Sequence, residues 1–263
     1  MNDRAPLVFI TGASSGIGQA LAQRYAQAGW RLALVARREA ALRDWAQAQG
    51  LGPERCGVYA ADVADVGRIV AAGQACLSTQ GLPDVVIANA GISVGMDTAE
   101  RDDLDVMRET FATNNTGMAA TFHPFMAPMR AQRRGTLVGI ASVAAIRGLP
   151  GHAAYCASKA AVVAYCESLR GECRPFGMKV VTLLPGYIAT PLTAKNPYPM
   201  PFLMAPEDFA DQAFRAIGAG ASYRVIPWPM AVVAKLLRLL PNPLFDRAFA
   251  GRGRKPRRSS TAT

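Results

Sequence analysis

The sequence predicts a single-domain α/β fold built on a parallel sheet with helices on both faces. Short, nearly continuous apolar runs alternate with helical patterns along the 263-residue chain. Such strands must be covered on both faces, and parallel strands need crossover connections long enough to hold a helix. A glycine-rich turn also stands between the first apolar run and the first helical pattern, as expected for a phosphate-binding turn.

The pattern places the elements in order along the chain. The predicted strands are Leu7–Thr11, Arg31–Ala36, Gly57–Ala61, Val85–Ala88, Thr136–Ile140, Lys179–Leu184 and Tyr223–Ile226. Two long helices are predicted, one from about Asp102 to Met129 that decays at Pro124 and Pro128, and one over Ala153–Pro175. No internal repeat or linker is evident, so residues 1–227 form one domain and residues 228–263 are a C-terminal extension.

Composition excludes several classes of protein. Apolar residues make up 51% and charged residues 18% of the chain, which suits a globular α/β domain and not a disordered one. The net charge of +10 is concentrated at the C-terminus, where Arg252, Arg254, Lys255, Arg257 and Arg258 lie within the last twelve residues. Without an aromatic-studded basic face, nucleic acid is a minor hypothesis.

The cysteines and histidines of the chain predict its cellular compartment and whether it has a metal site. The cysteines contain no C-x-x-C pair, and no signal peptide precedes Leu7, so they are expected to be free thiols in a cytoplasmic protein. Because the chain has only His123 and His152, no metal site is predicted.

The glycine-rich turn predicts a site for a diphosphate. The apolar run ends in Thr11–Gly18, after which a helical pattern runs to Ala28 and is closed by Gly29. Glycines permit a tight turn and close backbone approach, and a helix start presents unpaired N–H groups to an anion. The candidate cofactor-binding residues here are Gly12, Ser14, Ser15, Gly16, Ile17 and Gly18.

A second motif carries proton chemistry. On a helix, residues four apart share one face, so the Lys159 ammonium can lie beneath the Tyr155 ring and is expected to lower the pKa of its hydroxyl. Ser142 follows the predicted strand Thr136–Ile140 and can meet the same point as a third polar group. An isolated Tyr–Lys pair usually lies on a solvated helix face. Because this chain also has the glycine-rich turn, we favour a role in proton transfer for Tyr155 and Lys159.

With these residues in order, the chain resembles the short-chain dehydrogenase/reductase family from about Ala5 to about Pro227. The matching elements are Thr11–Gly18, Asp62-Val63, Asn89-Ala90-Gly91, Asn114 three before Gly117, Ser142, Tyr155 with Lys159, Pro185-Gly186 and Thr190. The resemblance implies a doubly wound, Rossmann-type parallel sheet of about seven strands, with a dinucleotide bound across its carboxyl edge. It also implies an NAD(P)-dependent oxidoreductase that interconverts a carbonyl and an alcohol.

The resemblance assigns roles to individual residues. Tyr155 would deliver a proton, Ser142 would hold the substrate oxygen, Lys159 would bind the nicotinamide ribose, and Asn114 would anchor a water that connects Lys159 to solvent. The cofactor would further contact Asp62 and Val63 at the adenine, Asn89, Ala90 and Gly91 at a ribose, and Pro185, Gly186, Ile188 and Thr190 near the nicotinamide.

Simpler structural explanations exist for several of these residues. Asp62 can be a turn cap, Asn89–Gly91 a plain strand-ending turn, and Thr190 the start of a helix with Pro191 at its first position. Asn114 can be a polar residue that bends a helix and is satisfied locally. Asn115 is the neighbouring candidate, and the N-x-x-G spacing to Gly117 selects Asn114.

The end of the second strand favours NADP(H), with NAD(H) as the alternative. Ala36 stands where an acidic residue would bind an adenosine ribose, and Arg37 follows it. Arg38 can assist Arg37 or can equally be a solvated charge at the start of a helix. Arginine forms charge-assisted bonds to phosphate. Many NADP-dependent relatives carry another basic residue in the glycine-rich turn, where this chain has Ser14 and Ser15, so a preference is expected and not an exclusion.

The predicted activity is hydride transfer between NADP(H) and a ketone, aldehyde or alcohol. An NAD-dependent alcohol dehydrogenase and a redox-sensing NADPH-binding scaffold with little catalysis are the alternatives. Residues 192–205 are expected to cover the substrate, and their apolar side chains (Tyr198, Met200, Phe202, Leu203, Met204) suggest an apolar one.

The extension and the long helices suggest partners. The resemblance implies a homodimer through the two long helices, with a tetramer as the alternative. The small apolar residues Ala160, Ala161, Val162 and Ala164 permit such packing, although they can also make contacts only within the monomer core. Trp228–Leu240 predicts an amphipathic helix, too short to span a bilayer, followed by the basic tail. This combination fits peripheral membrane contact at the inner face of a membrane, or a helix folded back over the subunit.

Overall fold

A computed structural model describes residues 4–194, 196–251 and 253–258. Within these residues, seven parallel strands form one sheet in the order β3-β2-β1-β4-β5-β6-β7. The strands are β1 (Leu7–Thr11), β2 (Arg31–Ala36), β3 (Cys56–Ala60), β4 (Val85–Ala88), β5 (Thr136–Ile140), β6 (Lys179–Pro185) and β7 (Tyr223–Ile226). The predicted doubly wound, Rossmann-type fold is confirmed, with β3 beginning one residue earlier than predicted and β6 ending one later.

The helices cover the sheet in two layers. They are α1 (Gly16–Gln27), α2 (Glu39–Ala48), α3 (Val66–Thr79), α4 (Asp103–Phe111), α5 (Gly117–Gln132), α6 (Ala153–Cys173), α7 (Pro206–Gly218), α8 (Trp228–Leu239) and α9 (Asn242–Phe249). One apolar core joins the sheet to α3, α5 and α6, through side chains such as Ile69, Phe125 and Val162. The other joins it to α1, α2 and α7, through Leu21, Leu42 and Phe209. Apolar burial on both faces explains the nearly continuous apolar strands.

The strand order fixes where a ligand can bind. Strands β1 and β4 are neighbours, and the chain leaves them toward opposite edges of the sheet. In open α/β sheets a crevice forms at this point, outside the carboxyl ends of the strands. The loops that follow β1, β4 and β5 carry the glycine-rich turn, Asn89–Gly91 and Ser142, so the topology brings the candidate residues to one edge.

The predicted decay of the long helix at its prolines is wrong. Helix α5 continues through Pro124 and Pro128 to Gln132. A proline removes one backbone hydrogen bond, but Phe122, Phe125 and Met129 on this helix are buried in the core and hold it in place. The break lies earlier, in a π-helical turn over Ala112–Thr116 that separates α4 from α5.

The C-terminal extension packs back onto the domain. Helix α8 follows β7, and a second helix, α9, was not predicted. Arg147 contacts both α8 and α9. Its guanidinium donates to the Leu237 carbonyl at 2.6 Å and to the Leu240 carbonyl, at the end of α8. The same guanidinium lies 4.0 Å from the centroid of the Phe245 ring on α9. Residues 253–258, here called the C-terminal strap, run back across the domain, while Arg252 lies outside the described residues.

Two further expectations concern cysteines and membranes. Cys56, Cys76, Cys156, Cys166 and Cys173 are all free and buried. Among the described residues, no helix combines the length and apolarity that crossing a bilayer requires.

Candidate active site

A cleft of about 530 Å³ opens at the carboxyl edge of the sheet, where the topology predicts it. It extends from the glycine-rich turn to the polar residues after β5 and on α6. The predicted residues on its wall are Gly12, Ser14, Ser15, Gly16, Ile17, Arg37, Arg38, Asp62, Val63, Asn89, Ala90, Gly91, Ser142, Tyr155, Lys159, Pro185, Gly186, Ile188 and Thr190. Gly18 and Asn114 lie behind this wall.

The glycine-rich turn is held tightly against the end of β4. Gly12 has a φ of +67°, and a Cβ there would lie 2.8 Å from the Ala90 Cα. The Asn89 side chain donates to the carbonyls of Thr11 and Gly12 at 3.0 and 3.3 Å. A Cβ on Gly18 would lie 2.2 Å from the Gly12 carbonyl oxygen. Gly18 therefore allows α1 to pack closely beneath the turn, and the Asn89 side chain holds the turn in place through its hydrogen bonds.

The start of α1 provides the polar groups that a diphosphate needs. Ser15 occupies the N-cap position with extended backbone, and its side chain makes no capping hydrogen bond. The first turn of the helix contains no acidic residue, and Ser14, Ser15, Gly16 and Ile17 all face the cleft. Free N–H groups and a helix N-terminus favour an anion. Gly12 and Gly18 let the turn and the helix pack closely, and the residues that face the cleft here carry no acidic group, so they fit a dinucleotide diphosphate.

Two arginines mark the end of the cleft beyond β2. Arg37 Nη1 lies 3.7 Å from Asp62 Oδ2, and Arg38 Nη2 donates to Ser14 Oγ at 3.4 Å. Both arginines are exposed, so they remain available to an anionic ligand. Asp62 Oδ1 also accepts from the Ala64 amide at 3.0 Å, so Asp62 caps a turn while it lines the cleft.

The opposite end of the cleft gathers Ser142, Tyr155 and Lys159. The Lys159 Nζ lies 5.8 Å from the Tyr155 ring centroid and donates to the Ile140 carbonyl at 2.9 Å. Ser142 caps the short 3₁₀ turn Val143–Ala145, and its Oγ accepts from the Ala144 amide at 3.1 Å. The structure therefore brings the three side chains together, on a strand end and the first turns of α6.

Burial has the largest effect on the pKa values of Tyr155 and Lys159 at this end of the cleft. Burial raises the pKa of Tyr155 to about 12, while its hydrogen bond with Ser142 acts in the opposite direction. Burial also lowers the pKa of Lys159 to about 8. The expectation that Lys159 brings the pKa of Tyr155 below its ordinary value is therefore not met in the protein alone, because the loss of hydration outweighs the hydrogen bond with Ser142. At neutral pH Tyr155 keeps its proton and Lys159 remains mostly charged.

Asn114 lies in the π-helical turn and is buried behind Gly91. Its Oδ1 accepts from the Ile92 amide at 2.9 Å, and its Nδ2 donates to the Ile92 carbonyl at 3.1 Å and to Ser158 Oγ at 2.9 Å. A Cβ on Gly91 would lie 3.2 Å from Asn114 Oδ1 and 3.3 Å from Lys159 Nζ. Asn114 thus ties the loop after β4 to α6. Asn115 points elsewhere and donates to the Ser158 carbonyl at 2.9 Å.

The wall beyond β6 is built by a compact turn. Thr193 Oγ1 donates to the Ile188 carbonyl at 2.6 Å and accepts from the Thr190 amide at 3.1 Å. Thr190 packs beside the glycine-rich turn, since a Cβ on Gly16 would lie 3.1 Å from its Cγ2. Residues 191–194 form turns and not the helix considered as the alternative. Lys195, within the predicted cover of residues 192–205, lies outside the described residues.

Sequence reasoning missed part of the wall. These residues lie at or next to strand ends or predicted motifs and have no distinctive chemistry of their own: Ala36, Ala61, Ile92, Thr113, Ile140, Ala141 and Pro191. Leu192 and Thr193, which also line the cleft, belong to the predicted cover of residues 192–205. Ser158 was also missed, although it lies inside the Tyr155–Lys159 motif. It is fully buried, accepts from Asn114 and donates to the Tyr155 carbonyl at 2.8 Å. Its position three residues after Tyr155 was the available signal.

Comparison with known proteins agrees with this geometry. A family model described as short chain dehydrogenase matches residues 6–199.

The chain belongs to the short-chain dehydrogenase family.

Among its relatives, an uncharacterized oxidoreductase of Myxococcus xanthus is 42% identical over 91% of this chain and 94% of its own. Dehydrogenase/reductase SDR family member 7B of Bos taurus is 33% identical over 97% of this chain and 84% of its own.

Solved structures of other short-chain dehydrogenases share the fold. A 3-oxoacyl-[acyl-carrier protein] reductase from Brucella melitensis with bound NAD has a TM-score of 0.74 and 29% identity, over 85% of this chain and 90% of its own. A short chain dehydrogenase from Burkholderia cenocepacia in complex with NADP has a TM-score of 0.80 over 96% of this chain and 100% of its own, with 22% identity. The protein is thus an oxidoreductase of the CH–OH/C=O class, in a family that uses NAD(P).

Proposed function

We propose that this short-chain dehydrogenase reduces the carbonyl group of an apolar ketone or aldehyde with NADPH, and that the same site can run the reverse oxidation. One observation carries the proposal. A cleft with a diphosphate cradle at one end holds Ser142, Tyr155 and Lys159 together at the other. A protein that only sensed a nucleotide would not need a proton donor, a hydroxyl and a buried ammonium at one point.

The residues at this end divide the chemistry among themselves. A reduced nicotinamide coenzyme supplies a hydride when bound. Tyr155, which keeps its proton at neutral pH, donates that proton to the developing alkoxide, and Ser142 holds the same oxygen through a hydrogen bond. Lys159 contributes positive charge beside the phenol, which opposes the effect of burial as Tyr155 loses its proton. Asn114 anchors the path by which Lys159 regains contact with solvent.

Arg37 and Arg38 support a preference for NADP(H) over NAD(H). Both guanidinium groups are exposed at the end of the cleft beyond β2, where an adenosine ribose would lie if the diphosphate occupies the glycine-rich turn. The ion pair of Arg37 with Asp62 is long, at 3.7 Å, and leaves this arginine free to bind a phosphate.

An apolar substrate is supported by the wall near Ser142 and not by the whole predicted cover. Ile92, Ile188 and Leu192 line the cleft on this side. Phe202 and Leu203 are 52% and 50% exposed, so this part of the predicted cover points into solvent. Tyr198 turns inward, within hydrogen-bonding distance of His152 at 3.0 Å.

The reaction is tested with a panel of ketones and aldehydes, by following NADPH absorbance. The wild type is expected to oxidise NADPH with at least one apolar carbonyl. Tyr155→Phe should lower kcat by about 100-fold or more while NADPH still binds. Tyr223→Phe, an exposed tyrosine on the edge strand β7, is the matched control and should retain activity. Tight NADPH binding with no turnover on any carbonyl would favour the redox-sensing scaffold.

A homodimer is proposed through the face formed by α3, α5 and α6. A surface groove there is lined by Val66, Val70, Ala119, Met126, Tyr165 and Leu169, with Arg130 and Glu172 at 3.8 Å from each other on its border. Val66 and Tyr165 are 47% and 38% exposed. An apolar face bordered by opposite charges can pair with itself about a two-fold axis. Sedimentation should show a dimer, and Tyr165→Asp should yield a monomer; a tetramer would require a further interface.

Peripheral membrane contact is proposed through α8 and not through the basic tail. Trp228, Val232, Leu236 and Leu239 form an outward stripe on this helix, 71%, 49%, 63% and 80% exposed. Exposed Lys235 and Arg238 flank the stripe and would face anionic headgroups. Flotation with anionic vesicles should capture the wild type, whereas Leu236→Glu/Leu239→Glu should remain unbound. Arg254→Met should still float, because the strap is engaged by the domain.

A further inference from the structure

The C-terminal strap is seated on the loop that follows β4. The Gly95 amide donates to the Pro256 carbonyl at 3.1 Å, and Gly95 pairs with Arg257 in a parallel bridge. A Cβ on Gly95 would lie 2.0 Å from the Lys255 carbonyl oxygen, so the two backbones are in direct contact. The strap is therefore part of the folded domain at this edge of the cleft.

Lys255 connects the two sides of the cleft. Its Nζ donates to Ser93 Oγ at 3.0 Å and to the Leu192 carbonyl at 3.2 Å. Ser93 directly follows Ile92, and both Ile92 and Leu192 line the cleft. One ammonium thus bridges the loop after β4 and the turn after β6, beside two residues of the cleft wall.

The charge of Lys255 differs from that of the other strap cations. Arg254 pairs with Asp97 at 3.1 Å, Arg257 with Asp103 at 2.6 Å, and Arg258 with Glu109. Across the described parts of the chain, no carboxylate forms an ion pair with Lys255, and its two partners are neutral oxygens. Burial lowers the pKa of this ammonium. A partly buried cation without a counter-charge is costly, and an anionic ligand would remove that cost.

Neighbouring polar groups complete this region. His152 Nε2 lies 3.0 Å from the Tyr198 hydroxyl, and His152 precedes Tyr155 by less than one helical turn. Burial lowers the pKa of His152, and the charge of Lys255 acts in the same direction. The lowered pKa favours the neutral form of His152, so Lys255 carries the positive charge among Lys255, His152 and Tyr198, separately from the Lys159 ammonium in the cleft.

We propose that Lys255 binds an anionic group, a carboxylate, of the carbonyl substrate, so that the substrate is an apolar chain with a carbonyl to be reduced and an acidic end. The strap makes this a built site, because Arg257 and Arg258 fix the backbone from which Lys255 reaches Ser93 and Leu192, beside the wall of the cleft. The assignment rests on the proposed carbonyl reductase function and names the class of substrate for it.

The test compares ω-oxo carboxylates of increasing chain length with their methyl esters, using NADPH and the full-length protein. At the best length, the wild type should show a KM for the carboxylate about 10- to 100-fold below that of the ester. Lys255→Met should erase this difference with kcat little changed, and Lys255→Arg should retain most of it. Lys235→Met, at an exposed lysine on α8, is the matched control and should keep the preference. Equal KM values in the wild type, or a preference that survives Lys255→Met, would overturn the proposal.

A binding measurement keeps the two proposals separable. Should the wild type reduce no carbonyl of either series, the proposed function fails, and thermal stabilisation by dodecanoate against dodecanol then decides the role of Lys255. Stabilisation by dodecanoate that is lost in Lys255→Met and retained in Lys255→Arg supports an anion site. Equal stabilisation of the wild type and Lys255→Met by dodecanoate refutes it. Melting curves without ligand show whether each variant is folded.

Discussion

Arg257 Nε donates to Asp103 Oδ2 at 2.6 Å, and this contact fixes the C-terminal strap to the first turn of α4. The Asp103 side chain is only 4% exposed and also accepts from the Asp97 amide at 2.7 Å. One carboxylate therefore holds two segments that are separated by more than a hundred residues along the chain. Arg258 adds a pair of hydrogen bonds to Glu109, six residues further along α4.

Strap docking should weaken in acid. The hydrogen bond from Arg257 holds the pKa of Asp103 below its ordinary 3.8, and that from Arg258 holds the pKa of Glu109 below its ordinary 4.5. Lowered carboxyl pKa values stabilise docking above about pH 4.5, and this stabilisation is lost as the pH falls through the lower folded-state values. Amide exchange at Gly95, which donates to the strap, should rise below pH 4 once corrected for intrinsic rates.

Asp103→Asn should raise that exchange already at neutral pH. Glu167→Gln, at a surface pair with Arg170 on α6, is the control and should leave it unchanged. Unaltered protection of Gly95 in Asp103→Asn would show that the ion pair does not hold the strap.

Coenzyme choice should depend on Arg38. Arg38→Ala is expected to raise the KM for NADPH by about tenfold or more and to leave the KM for NADH nearly unchanged, because only NADPH carries the 2′-phosphate. Arg43→Ala, whose guanidinium pairs with Glu39 on α2, is the matched control. A wild-type KM lower for NADH than for NADPH would contradict the proposed preference directly.

Gly18 should not tolerate a methyl group. Its Cβ would overlap the Gly12 carbonyl oxygen at 2.2 Å, so Gly18→Ala must push α1 away from the turn. We expect a loss of about 1–3 kcal/mol in unfolding free energy together with weaker NADPH binding. Gly218→Ala, at the end of α7 with no atom within 4 Å of the added methyl, should be neutral or slightly stabilising. Thermal melts and NADPH titrations measure both effects.

Removal of the Asn114 side chain should lower kcat more than removal of the Asn115 side chain. Asn114→Ala leaves the Ile92 backbone and the Ser158 hydroxyl without their partner, at a cost of about 1–3 kcal/mol for each unsatisfied buried group. The loop after β4 should lose its position, and kcat is expected to fall by more than KM for the coenzyme changes. Asn115→Ala removes one bond to the Ser158 carbonyl and should have the smaller effect. Equal losses of kcat in the two variants would exclude a particular role for Asn114.

Lys159 should leave a signature in the pH dependence of stability. Its pKa falls from 10.5 in the unfolded chain to about 8 in the folded protein, so the folded state releases this proton first. The wild type should therefore gain stability relative to Lys159→Met as the pH rises from about 8 to about 10.5. The full gain amounts to about 3 kcal/mol. Urea unfolding at several pH values, without added coenzyme, measures the difference. A constant difference across this range would mean that Lys159 is not buried as a titrating group.

The sequence predicted the fold and the wall of the cleft well, because both depend on local patterns. Apolar runs such as Leu7–Thr11 are buried on both faces of the sheet, which allows few interpretations other than a parallel strand. The glycine-rich turn predicts a tight turn before a helix, and the Tyr155–Lys159 spacing predicts one turn of a helix. Their positions at strand ends then follow from the topology.

The parts that could not be predicted depend on long-range contacts. Pro124 predicts the end of a helix, but α5 continues through it because Phe122 and Phe125 are buried in the core. The strap looked like a basic tail because Asp97, Asp103 and Glu109 lie about 150 residues away from it in the chain. The raised pKa of Tyr155 likewise reflects burial, which a four-residue spacing does not reveal.

The grip of Arg147 on the last turn of α8 has a mechanical consequence. Arg147 stands five residues after Ser142, in the segment that continues from the 3₁₀ turn, and it stacks on Phe245 of α9. The outer helices are therefore tied to the segment that carries Ser142 through Arg147 and through Arg238, whose Nη1 donates to the Ile146 carbonyl at 3.4 Å. A displacement of α8 from outside, by a bilayer or by an attached surface, would act on the backbone next to the proposed oxygen-binding serine.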